Sequence, residues 1–288
     1  MKIHPDPHLD SCFRLLDDED ESVAVTAMAE LLDHEEELGD APGLMQEIGS
    51  PLARKRIHQL QAAITIRRRR RNFSRYLRQP RIDFPTGLIE VHLQWFDNDS
   101  RPALERAWRE FAGAARRNHL DSLPQVAGFM KRRGLSAAGE TTMQPELYCI
   151  GTVLEANLGS AALLAGVAQE LAAQGGLETR VVQLLGDFAL LDGDGNVLFP
   201  LREWGLMRGA GVENCEFWEP RTLLRYLSTM LFSHAVTSDS FRYIQTIGQA
   251  LADLPDGELP ETFPYPYRSA DDEADAAEDA AAENSQPQ

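Results

Sequence analysis

Apolar positions in the first 80 residues recur at helical spacing and are interrupted by short polar breaks. Between residues 11 and 32, Cys12, Leu15, Leu16, Val23, Ala27, Leu31 and Leu32 fall into two patches. The acidic run from Asp17 to Ser22 separates them and reads as a turn whose carboxylates favour the start of the next helix. A second helical pair is predicted over 41–77. Leu44, Met45 and Ile48 mark its first helix, Gly49-Ser50-Pro51 breaks the chain, and Ile57, Leu60, Ala63 and Ile64 mark its second. Residues 81–87 predict a loop, and 88–96 a helix buried on a wide face that ends at 97–100. Pro102 opens a helix carrying Leu104, Trp108 and Phe111. It closes at Arg116-Arg117-Asn118, where cations complement the helix dipole.

The pattern changes in the second half. Residues 136–145 are small and turn-rich. A long helix follows Gly159, with Ser160 as its cap and Gly175-Gly176 as its stop. A β-rich run over 179–185 and apolar runs over 188–191 and 197–199 predict strands, and Asp192-Gly193-Asp194-Gly195-Asn196 supplies a hairpin turn between the last two. Helical spacing returns over 219–254 through Leu223, Leu227, Leu231, Ile244 and Leu251 and stops at Pro255-Asp256-Gly257. Residues 260–267 read as an extended Pro/Tyr arm. From Ser269 the chain has almost nothing to bury, which predicts disorder.

Two resemblances follow from these patterns. The first two helical pairs resemble HEAT-type repeats, and the phrase from Leu15 to Ala24 is similar to the inter-helix turn of such a unit; an amphipathic hairpin must stack on a neighbour to bury its face. The stretch 153–205 resembles the bacterial transglutaminase-like family of the SirB type. The residues that carry this are Leu154-Glu155, Gly159-Ser160-Ala161, the run from Leu177 to Val182, Gly186-Asp187-Phe188-Ala189-Leu190, Asp194-Gly195 and Pro200. Residues 82–111 are similar to the helical pair that precedes this unit in the family. The expected fold is thus α+β and predominantly helical, with HEAT-like hairpins packed on a transglutaminase-like unit holding a small antiparallel sheet. The expected organisation is a helical segment at 1–80, the transglutaminase-like domain at 81–254, the arm at 255–268 and the acidic tail at 269–288.

The resemblance implies a site and also implies that its chemistry is missing. Active transglutaminase-like enzymes carry a cysteine at the start of the long helix, where this chain has Ala161. The histidine position falls at Asp187 and the orienting carboxylate at Phe199. Ser160, Ala161, Asp187, Phe199 and Trp204 would then line a remnant cleft without catalytic residues. A hydrolase or peptidase with Ser160 as a relocated nucleophile is the rival reading, and it requires a base and an oxyanion hole. A Cys215–His234 pair has no motif behind it. The run from Asp192 to Glu203 approaches a calcium loop but has Val197 where a glycine is needed, so a hairpin turn is the simpler reading.

Composition narrows the choice further. The 288 residues carry a formal net charge of −17, which disfavours nucleic acid as the main partner. The charge is uneven: residues 17–47 contain no Lys or Arg, whereas Arg67, Arg68, Arg69, Arg70 and Arg71 are consecutive. Five successive helical residues sweep more than a full turn, so these arginines cannot share one face. RNA binding through them is an alternative to a solvated, partly acid-paired helix end. Three widely spaced cysteines, Cys12, Cys149 and Cys215, argue against a disulfide framework or a cysteine-rich metal site and fit a reducing cytoplasm. No membrane span, secretory signal, metal or cofactor is expected. The preferred expectation is a non-catalytic binding or scaffold module whose partner is another protein.

Overall fold

The structure is a computed structural model, and it describes residues 3–39, 41–139, 144–210 and 212–252. The Pro/Tyr arm and the acidic tail lie outside the described residues. The described residues form a mixed α+β, mostly helical fold with a small antiparallel sheet. No helix among them is long and apolar enough to cross a membrane. The chain divides into two compact units, Met1–Arg69 and Arg70–Gln288.

The first unit contains α1 (Pro7–Leu15), α2 (Glu21–Asp33), α3 (Ala41–Ile48) and the first part of α4 (Pro51–Leu77). The starts of α1 and α2 are capped by carboxylates. Asp6 accepts the His8 amide at 2.7 Å, and Asp20, at the end of the predicted acidic turn, accepts the Ser22 amide at 2.8 Å. Leu9, Phe13, Leu16, Leu31, Ile57 and Leu60 are buried together. Arg56 is buried beside them and donates from Nη1 to the Leu16 carbonyl at 2.9 Å, satisfying a backbone acceptor beyond the end of α1.

The second unit is built around α9 (Ala161–Gln174), whose Leu163, Leu164, Val167 and Leu171 are all buried. Burying each such side chain contributes about 1.5–3 kcal/mol relative to exposure. Around it stand α5 (Phe84–Trp95), α6 (Arg101–Arg116), α7 (Leu123–Arg132), α8 (Ile150–Ala156), α10 (Pro220–Thr237) and α11 (Phe241–Ala252). α5 begins at Phe84, inside the loop expected over 81–87, because Asp83 caps it by accepting the Thr86 amide and Pro85 suits its first turn. The helical stretch expected over 219–254 is two helices; Ser238-Asp239-Ser240 breaks it, with Asp239 at φ 53°.

The sheet comprises β3 (Thr179–Leu184), β4 (Asp187–Asp192), β5 (Val197–Phe199), β6 (Gly205–Met207) and β7 (Glu216–Trp218), in the order β6-β5-β4-β3-β7 with every neighbour antiparallel. A separate parallel pair joins β1 (Ser136–Ala137) to β2 (Leu158–Gly159). The alternation of side chains gives the five-stranded sheet two buried faces. Val181, Phe188, Leu190 and Leu198 join the large core around α9. Val182, Leu184, Ala189, Leu191, Val197 and Phe199 form a second cluster on the opposite face, with Met207 and Cys215 against it.

Candidate functional site

The site is organised by the way the chain enters α9. The Ser160 amide donates to the Leu147 carbonyl at 2.7 Å, which pins the residue before the helix. Its Oγ accepts the Leu163 amide at 3.2 Å, the expected N-cap arrangement. A cavity of about 230 Å³ opens at this helix start. Ser160, Ala161 and Ala162 form one wall, and Tyr148, Phe188 and Tyr226 supply much of the rest. Behind these, Trp218 meets the Phe188 ring at 4.9 Å and the Tyr226 ring at 5.2 Å, so the aromatic wall is braced by a third ring.

Of the five expected cleft residues, the structure brings only Ser160 and Ala161 to this cavity. Asp187 pairs with Leu184 across the β3–β4 hairpin and therefore shares the opposite sheet face. There its Oδ2 accepts from Arg202 Nη2 at 2.7 Å and Nε at 3.0 Å. Phe199 is buried on that same face, with the Arg202 guanidinium 4.3 Å from its ring centre. Trp204 is buried in the large core, and its indole N–H donates to the Leu135 carbonyl at 2.7 Å. The strand residue that faces the start of α9 is Phe188. A shift of one position flips a side chain to the other face of a sheet, and this moves the expected histidine position from an aspartate to a phenylalanine. Neither can supply an imidazole.

The remaining nucleophile candidates are held in unreactive settings. Burial pushes the thiols of Cys12, Cys149 and Cys215 above the usual range, and Glu146 and Asp99 push Cys149 further in the same direction. They are therefore protonated near neutral pH, the opposite of an activated thiolate. Cys215 packs on the second sheet face, while His234 meets the Trp95 ring at 5.4 Å. Sequence reasoning did not single out His92, which is buried in α5. Its Nε2–H donates to Asp99 Oδ2 at 2.8 Å and its Nδ1 accepts the Gly151 amide at 3.3 Å. Both ring nitrogens are thus engaged, and the imidazole ties α5 to the first turn of α8.

Two other sequence features take ordinary roles. In the run that resembles a calcium loop, Asp192 Oδ1 accepts the amides of Asp194 and Asn196 at 3.0 and 2.8 Å, closing the β4–β5 turn. Among the described residues no group of three or more His, Cys, Asp or Glu is placed to hold a metal ion. The arginine run lies inside α4 and not at a helix end. Arg67 donates to the Leu32 carbonyl at 3.0 Å and Asp33 Oδ1 at 3.2 Å, and Arg68 is exposed; the side chains of Arg69 and Arg70 lie outside the described residues.

No family model, curated protein or solved structure matches this chain.

Proposed function

We propose that this chain is a non-catalytic binding module of the transglutaminase-like, SirB type, acting in the cytoplasm, with HEAT-like hairpins in its first unit. The recess at the start of α9 receives an apolar or aromatic side chain of a protein partner. One observation carries the reading: the recess pairs a capped helix start with an aromatic wall, and its described lining contains no histidine, cysteine or carboxylate. Ser160 is the one hydroxyl at the helix start, and its oxygen already accepts a backbone amide. A base within hydrogen-bond reach is what a serine nucleophile needs, and Phe188 occupies the facing strand position.

Two measurements test this. Broad serine- and cysteine-reactive probes applied to the full chain are expected to leave Ser160 unlabelled. Stoichiometric labelling that disappears in Ser160→Ala would overturn the proposal in favour of a hydrolase. Peptides selected from a random library on the intact protein are expected to share an apolar or aromatic anchor. Ala161→Trp, which fills the recess, is expected to weaken them about tenfold or more, as loss of an anchor pocket does. Undiminished binding by Ala161→Trp would place recognition elsewhere.

A further inference from the structure

A positive surface of this acidic chain lies at the C-terminal ends of α6 and α7. From Arg106 to Arg133 the sequence holds seven basic residues against two acidic ones. The two helix ends are joined directly. Arg132 on α7 donates from Nη2 to Asn118 Oδ1, just past α6, at 3.2 Å, and the Arg133 guanidinium sits 5.5 Å from the ring centre of Phe111 on α6. Arg116, Arg117 and His119 line a shallow hollow beside Gly113. Arg116, Arg117, Lys131, Arg132 and Arg133 are all exposed, and among the described residues none of the five forms an ion pair. The helix dipoles offset part of this charge at the last carbonyls, but a dipole end carries only about half a charge. Most of the positive charge is left facing outward.

The chain supplies a complement of matching size. Between Asp271 and Glu283 it carries seven carboxylates and no basic residue. We infer that the joined ends of α6 and α7 are the docking surface for this acidic C-terminal segment of the same chain. The reach is sufficient. The 18 residues from 253 to 270 span up to about 60 Å when extended, whereas a folded unit of this size is about 40 Å across. Tethering holds the segment at a local concentration of order millimolar, so a weak, purely electrostatic contact is populated. In the α4 run Arg67 is already bonded to the end of α2, whereas Arg116 and Arg117 stand together beside one hollow. A surface lined with guanidinium groups and no exposed phenylalanine, tyrosine or tryptophan suits a carboxylate segment better than stacked bases. Docking of this kind shields the surface from other polyanions.

The lysine distribution makes the test sharp. Lys2, Lys55 and Lys131 are the only lysines in the chain, and only Lys131 belongs to this surface. Zero-length carbodiimide coupling of the full-length protein at low salt is expected to join Lys131 to carboxylates between Asp271 and Glu283. An equimolar mixture of heavy- and normal-isotope protein shows whether the link lies within one chain, as expected. The yield is expected to fall about fivefold or more near 1 M salt, where the screening length is about 3 Å. It should fall similarly in Arg116→Glu/Arg117→Glu, with unchanged circular dichroism. Links to Lys55 or Lys2 in place of Lys131, links only between chains, or a yield indifferent to salt would each overturn the inference. Should that double variant fail to fold, Asp271→Asn, Asp272→Asn, Glu273→Gln and Asp275→Asn remove four of the seven carboxylates of the segment without changing a residue of α6 or α7. That variant is expected to bind heparin more tightly than the parent at low salt. Equal heparin binding, or generic RNA that binds the parent and the variant alike, would show that the tail does not cover the surface.

Discussion

Single residues already set how this fold responds to acid and to strain. Burial holds the His92 imidazole below the usual histidine range; the Asp99 hydrogen bond and the charges of Asp99 and Glu155 oppose that shift without reversing it. Protonation would also place a second N–H against the Gly151 amide, whose proton Nδ1 now accepts. A folded-state value below the unfolded one of about 6.5 means that the unfolded chain binds the proton more readily. The contribution of His92 is therefore complete above that value and is lost as pH falls below it toward the folded value. Urea midpoints measured at pH about 7.5 and about 5.5 should fall with acid, and more steeply than in His92→Gln; equal slopes would remove His92 from the account. Leu185 offers the opposite case, a substitution that stabilises. It is 77% exposed at φ 55°, followed by Gly186 at φ 86°, so the β3–β4 turn asks for two left-handed residues and has a leucine at the first. Leu185→Asn should raise stability by about 1 kcal/mol, or Tm by roughly 2–4 °C.

Elements meet closely where glycine allows it. A Cβ at Gly166 of α9 would lie 2.5 Å from Phe84 Cζ and 2.9 Å from Leu223 Cδ2, so this helix packs against α5 and α10 through its bare backbone. A Cβ at Gly175 would lie 2.4 Å from the Leu120 carbonyl oxygen, which cannot rotate aside as a side chain can. Thermal unfolding should show Gly166→Ala and Gly175→Ala each destabilised by about 1–3 kcal/mol, Gly175→Ala at least as much as its counterpart. Gly193→Ala, with nothing within 4 Å, should be close to neutral. The same elements show what sequence conveys. The Ser160 cap, the Asp-Gly hairpin and the α1–α2 turn were legible because each depends on neighbouring residues. α8, β6 and β7 were not, because seven helical residues cover only about two turns, and the two short strands lack the Asp-Gly hairpin that marks the equally short β5. The break between α10 and α11 was hidden for another reason: apolar spacing continues across it, and Ser-Asp-Ser carries neither glycine nor proline. At the recess, Ser160 and Ala161 were readable, whereas Phe188, Tyr226 and Tyr148 come from three distant segments. Alternation shows that Asp187 and Phe188 face opposite ways, but not which of them faces a helix.

The molecule as a whole has separate cores in its two units. Leu60 is fully buried in the first and Leu164 in the second. Leu60→Ala should cost the first unit about 2–5 kcal/mol. Hydrogen exchange followed by mass spectrometry should then show faster exchange in α1 and α2, with the amides of α9 as protected as before. Loss of protection in α9 to the same extent would mean that the two cores unfold as one. The division also decides what optical probes can see. All four tryptophans and all six tyrosines lie beyond residue 69, so the first unit has no indole or phenol chromophore. Indole emission follows the second unit alone, whereas far-ultraviolet dichroism sums the helices of both. An emission melt that looks unchanged therefore carries no information about the first unit, whose helices can unravel without altering the signal.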